Sequence, residues 1–216
     1  MSDRAVTTLY EWILQEFTPE GRAKAVGELG PHLAKLVKPG CEALDLCCGA
    51  GPFAFYLEER GARVTAVDVA PFMIGAAQEE ASRRGSRVDF VLADVLAYDL
   101  GAARFDLAAF LGNTVSDFAL DSFARLAANV NRALKRSGRF AIHYLDGLQP
   151  FVKGSYRKEG VQQEEPVRIT HRFKEYLPER GAYVEVYRNE ATGETFEYTS
   201  YVYTPPVVRL LVGRMF

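Results

Sequence analysis

The sequence predicts an α/β fold: a doubly wound, mostly parallel sheet followed by a small antiparallel β unit. Three observations predict it. Between Cys41 and Leu145, short apolar segments alternate with amphipathic ones, the pattern of a parallel sheet with helices on both faces. A glycine-rich turn, Cys48-Gly49-Ala50-Gly51, joins the first strand to the next helix. Doubly wound sheets bind ligands at the carboxyl ends of their strands, where such turns lie. After Pro150 the pattern changes to period-two segments rich in Tyr, Val, Thr and Phe, which read as antiparallel strands.

The elements follow in order. Thr7 to Phe17 reads as a short amphipathic helix. Thr18 reads as the N-cap of a second helix and Pro19 as its first position. That helix is expected to reach Val37, with a break near Gly30-Pro31, and Pro39-Gly40 is a turn. Cys41 to Cys47 is the first strand, Pro52 to Arg60 a helix, and Gly61 its stop. Arg63 to Val67 is the second strand, and Pro71 to Arg84 a helix stopped at Gly85. Val88 to Leu92 and Phe105 to Phe110 are the third and fourth strands. Ser116 to Lys135 is mostly helix, Ser137-Gly138 a turn, and Arg139 to Leu145 the fifth strand. Val167 to Tyr176, Ala182 to Arg188 and Thr195 to Tyr203 form a three-stranded antiparallel meander, and Pro205-Pro206 opens a final helix. The expected organisation is a sheet region at 1–150, the antiparallel unit at 151–204, and the start of a last helix at 205–216.

Composition narrows the function. The chain has 216 residues, 48% of them hydrophobic and 25% charged, which is globular and sized for one domain with a modest appendage. Its formal net charge of −2 argues against a non-specific polyanion binder. Cys41, Cys47 and Cys48 are odd in number and two are adjacent, so neither a disulfide framework nor a zinc site is expected, and a reducing cytoplasm fits. The first residues carry Asp3 and Arg4 without an apolar core, so no secretory leader is expected. No run approaches the roughly 18 apolar residues of a membrane span.

The glycine turn is the informative stretch. Gly49 and Gly51 let a ligand approach bare backbone. Read as G-x-G-x-x-A with Asp68 following Gly49 by 19 residues, it matches a dinucleotide fingerprint as well. Two further acids separate the readings. Asp45 lies in the first strand, four residues before Gly49, where a carboxylate would repel an anionic pyrophosphate but attract a cation. S-adenosylmethionine carries an ammonium and a sulfonium. Asp94, just after the third strand, can accept a hydrogen bond from an adenine amine, and Met73 can pack on the adenine face.

With these residues in view, the chain resembles a class I S-adenosylmethionine-dependent methyltransferase. LDLCCGAG (44–51), VTAVDVAPFMIGAAQ (64–78) and FVLADV (90–95) are similar to the family's first three motifs. FDLAAFLGNT (105–114) and LKRSGRFAIHYL (134–145) are similar to its fourth strand and the turn into the fifth. The resemblance implies a Rossmann-like core binding S-adenosylmethionine and releasing S-adenosylhomocysteine. It implies that Asp45, Cys47, Gly49 and Gly51 surround the methionine part, and that Asp68 and Val69 hold the ribose. Met73, Asp94 and Val95 would hold the adenine, and the Leu111 carbonyl the amino group. Tyr10 is a candidate cation–π lid over the sulfonium and Arg22 a candidate partner of the cofactor carboxylate. Asn113 and His143 are candidates for acceptor contact and general base. No metal is expected.

The meander resembles the lid of small-molecule N-methyltransferases such as glycine and amino-sugar N-methyltransferases, though Ser116 and Asp117 stand where those carry a Gly and an aromatic residue. The expected reaction is methyl transfer to a small molecule, to an amine nitrogen by in-line displacement. A nicotinamide-dependent oxidoreductase and a cofactor-binding protein without acceptor chemistry are the alternatives. Residues 151–203 carry 8 Lys/Arg against 9 Asp/Glu, and Phe110-Leu111-Gly112-Asn113 is not a base-gripping motif, so no nucleic acid is expected. Class I methyltransferases usually add two strands after the last helix. These are missing here, so the fifth strand is expected to be an edge covered by the lid or a second subunit, unless the chain is truncated.

Overall fold

The computed structural model describes Leu9, Glu11, Trp12 and residues 19–157, 159–164 and 167–213, the side chains of Pro19, Glu20, Arg22 and Arg157 apart. Five strands, β1 (Glu42–Leu46), β2 (Arg63–Asp68), β3 (Asp89–Leu92), β4 (Phe105–Phe110) and β5 (Leu134–Ile142), form one parallel sheet in the order β3-β2-β1-β4-β5. The order reverses between β1 and β4, the point at which such sheets open a ligand crevice. Alternation along β1 sends Ala43 and Asp45 to one face and Leu44 and Leu46 to the other. Helices α1 (Pro19–Ala34), α2 (Pro52–Glu58) and α3 (Pro71–Arg84) cover the first face. Helix α4 (Leu120–Ala133) covers the second, burying Phe123, Leu126, Ala127 and Val130 at helical spacing. The short α5 (Gln149–Val152) leads into the lid, and α6 (Pro205–Val212) returns to the second face through Val208.

The second sheet is antiparallel, in the order β6 (Gly160–Gln163), β7 (Ile169–Leu177), β8 (Ala182–Asn189), β9 (Thr195–Tyr201). It docks on the core through two phenols. Tyr198 donates to the Asp117 carboxylate, and Tyr203 donates to the Phe118 carbonyl at 2.8 Å.

Local signals carried most boundaries. Pro71 starts α3, and Gly85, at φ 64, ends it by turning left-handed. Four expectations are corrected. Helix α1 runs through Gly30-Pro31 and ends at Ala34. Gly30 is needed there because a Cβ would lie 2.7 Å from the Tyr56 ring, and Pro31 forfeits one helical bond on an exposed turn. β5 begins at Leu134, and Ser137-Gly138 falls within it. Phe105 pairs with Leu134 but Leu107 pairs with Arg139, so the intervening residues bulge out of register. The stretch 116–135 divides into a 3-10 turn at Thr114–Asp117 and α4. The lid has four strands, since β6 adds an edge that has no period-two pattern. Of the helix read at 7–17, the described Leu9, Glu11 and Trp12 are helical; the Thr18 cap lies outside the described residues. Among the described residues the parallel sheet has five strands and none pairs with the outer edge of β5. No helix among them is long and apolar enough to cross a membrane.

Candidate functional site

The carboxyl ends of β1, β2, β3 and β4 converge on one crevice, and each brings an acid or a turn. Between β1 and α2 the backbone takes positive φ at Cys47 (53°), Gly49 (54°) and Gly51 (79°). At Gly51 only glycine fits, because a Cβ would lie 2.7 Å from the Phe90 ring. Asp68 at the end of β2 fastens this loop. One of its oxygens accepts from the Gly49 N–H at 2.8 Å and the other from the Ala70 N–H at 2.9 Å.

Asp45 lies behind the loop, 2% exposed, and its Oδ2 has no hydrogen-bond partner. Burial, then the neighbouring Asp68 charge, push its carboxyl up to about 8. Asp68 is raised as well, by burial. Cys47 sits within the electrostatic reach of four acids. Burial first, then Asp68, Asp117, Asp45 and Asp94, push its thiol well up, and burial does the same to Cys48. Both sulfurs are therefore neutral thiols, unsuited to nucleophilic or redox work. An orphaned buried carboxylate oxygen with three further acids nearby makes this a region of unbalanced negative potential.

The remaining candidates fall around it. Val69, half-exposed, follows Asp68. Met73 is buried against Ala50 and Ala70. Asp94 closes the turn after β3 by accepting from the Leu96 N–H at 2.9 Å, with Val95 buried behind it. The Leu111 carbonyl accepts from the Thr114 hydroxyl at 2.8 Å and from the Thr114 N–H at 3.5 Å. Asn113, at φ 66, uses its side chain as a brace. Its oxygen accepts from the Leu145 N–H at 2.8 Å and its nitrogen donates to the Ser116 hydroxyl at 3.3 Å. His143 shares the Ala141 face of β5, toward α1, and its Nδ1 is buried without a partner. Burial lowers its imidazole and Glu28 of α1 raises it by less. Arg22 lies in α1 with its side chain outside the described residues, as is all of Tyr10.

Two residues escaped the sequence reading. Asp117, in the turn after β4, is buried and takes the Tyr198 phenol across the lid seam. Their 81-residue separation left no local signal beyond the odd acid at 117. Tyr198→Phe is expected to cost about 1–3 kcal/mol, since it strips a donor from a buried carboxylate; urea unfolding measures it.

The comparisons agree with this geometry. A methyltransferase domain model matches residues 43–138. A Pyrococcus horikoshii crystal structure superposes with TM-score 0.73 at 28% identity, covering 93% of this chain and 84% of that one. Residues 43–138 thus carry a methyltransferase domain of the class I S-adenosylmethionine-dependent kind. Among curated relatives, the chain is 36% identical over 136 residues to a ubiquinone biosynthesis O-methyltransferase of Methylocella silvestris, covering 55% of this chain and 52% of that one. A Xylella fastidiosa protein of the same name is 30% identical over 172 residues, covering 74% and 66%. The chain thus spans about half the length of the first of these relatives.

Proposed function

We propose that this methyltransferase binds S-adenosylmethionine in the crevice around Asp45 and transfers its methyl group to an amine nitrogen of a small molecule in the cytoplasm. The observation that carries the cofactor reading is the orphaned, buried Asp45 oxygen behind the glycine loop. A dinucleotide would set its pyrophosphate against that carboxyl; a cationic cofactor supplies the charge it lacks. Gly49, Gly51 and Cys47 would line the methionine part, Asp68 and Val69 the ribose, Met73, Asp94 and Val95 the adenine, and the Leu111 carbonyl the amino group. Tyr10 and Arg22 would close the site from the N-terminal helices.

When bound, the sulfonium supplies an electrophilic methyl with a neutral sulfur as leaving group. The chain's share is to align the acceptor and exclude water, the two effects that positioning supplies. An amine that arrives neutral needs no strong base, and His143, lowered by burial, holds a neutral imidazole that accepts a proton.

Calorimetry and thermal shift with S-adenosylhomocysteine and with NADH test the cofactor. Stabilisation by S-adenosylhomocysteine alone is expected, about 2.7 kcal/mol at a hundredfold excess over Kd. Stabilisation by NADH alone would overturn the reading. A panel of amines and phenols incubated with S-adenosylmethionine then tests the acceptor: methylated amine supports transfer to nitrogen, methylated phenol overturns it, and no turnover favours a cofactor-binding protein.

A further inference from the structure

We propose that the lid carries a subsite for an ammonium group of the acceptor, other than the nitrogen that is methylated, with Glu185 as its anion and the rings of Phe173, Tyr183, Tyr187 and Tyr198 as its walls. The subsite is outside the cofactor crevice, and the identity of its occupant as the methyl acceptor rests on the reading above.

Register builds it. Glu185 of β8 pairs with Phe173 of β7 on one side and Tyr198 of β9 on the other. Tyr183 and Tyr187 stand two residues away along β8 and so share its face. Four aromatic side chains therefore flank one carboxylate in four directions. The next row extends the wall, with His171, Tyr187 and Phe196 stacked at 5.2 and 5.5 Å between centroids. The face turns toward the core, because Tyr198 donates to Asp117 and Tyr187 feels the Asp117 charge.

The carboxylate is half-committed. Its Oε1 lies 2.8 Å from His171 Nδ1; an ionised carboxylate only accepts, so Nδ1 carries the hydrogen. His171 is thus a positioning residue that fixes the Glu185 rotamer. Oε2 makes no hydrogen bond among the described residues, and the Glu185 side chain stays 15% exposed, so it is reachable. Burial, with the Glu185 charge behind it, raises the phenols of Tyr183 and Tyr187, which stay protonated. A reachable carboxylate oxygen bordered by aromatic rings favours an ammonium by charge pairing, with Tyr187, stacked between His171 and Phe196, presenting its edge. A hydroxyl there would leave the carboxylate's charge unmatched, and an anion would be repelled.

Calorimetry with cyclohexylmethylammonium, cyclohexylmethanol and cyclohexanecarboxylate tests it, on protein with and without saturating S-adenosylhomocysteine. The quenching of Trp12, the single tryptophan, which lies edge-on to Phe196 at 4.7 Å, is a second readout. The ammonium probe is expected to bind at least about tenfold tighter than the alcohol, with the carboxylate weakest. Glu185→Gln should abolish that preference while S-adenosylhomocysteine affinity stays within about twofold. Glu185→Asp, a milder change should the first variant fold poorly, should shrink the preference at least about threefold without touching alcohol binding. Equal binding of ammonium and alcohol, no binding of the ammonium probe, or a preference surviving both variants overturns the subsite. Failure of S-adenosylhomocysteine to bind would instead remove the methyl-transfer reading and leave the ammonium preference to be judged separately.

Discussion

Replacing Asp45 by Asn is expected to weaken S-adenosylhomocysteine binding about 30- to 4,000-fold, the effect of removing one partner from a buried charge pair worth about 2–5 kcal/mol. The same substitution is expected to stabilise the ligand-free protein above neutral pH. The sign follows from the carboxyl's position, about 8 in the fold against an ordinary 3.8. Between these values the unfolded chain has released the proton and the folded one keeps it. The folded state therefore loses stability as pH rises from about 4 to about 8, at up to 1.4 kcal/mol per pH unit, and no further above that. Asn at 45 carries no such proton, so its melting temperature should not show this fall. Ligand binding inverts the relation. A cationic ligand favours the ionised carboxylate, so binding below about pH 8 should release a proton and tighten as pH rises toward that value. Calorimetry in buffers of different ionisation heat reads the proton directly. An Asp45→Asn variant that keeps both the affinity and the proton release would remove Asp45 from the site.

Gly51→Ala is the second large effect, expected at about 2–5 kcal/mol of stability. The left-handed backbone, φ 79, costs an alanine about 1–2 kcal/mol. Its Cβ would lie 2.7 Å from the Phe90 ring and 3.3 Å from Phe55, adding an overpacking cost of about 1–3 kcal/mol. Gly85→Ala is the matched control. Gly85 is also left-handed, at φ 64, but a Cβ there meets nothing within 4 Å. The difference between the two variants in urea unfolding isolates the clash. Equal losses at both positions would show that Phe90 yields without cost, and that the loop has more room than its geometry indicates.

The acids at 45, 68 and 94 and the glycines at 49 and 51 were legible because each is a local event. A parallel sheet gathers the carboxyl ends of its strands, so residues far apart in sequence meet wherever each strand stops. Pro71 and Gly85 bounded α3 for the same reason, one fixing φ at a helix start and the other turning left-handed at its end. The Ser137-Gly138 bulge was not legible, because its residues read as a turn until the β4 pairing drew them into β5. Nor was β6, whose four residues form a strand only because β7 offers an edge to pair with.

By itself the sequence determined the α/β order, the glycine loop, the acids at the strand ends, and the motifs that resemble those of the methyltransferase family. Only the tertiary structure decided which side chains the lid brings together. Tyr183, Glu185 and Tyr187 look like any alternating strand until the register sets Phe173 on one side and Tyr198 on the other. Asp117 looks like a loop acid until the lid folds over and hands it a phenol. The physical reason is range. Backbone preference and capping act over a few residues and are written in them, whereas pairing register and sheet docking are settled by the summed burial of surfaces that meet only once the chain has folded.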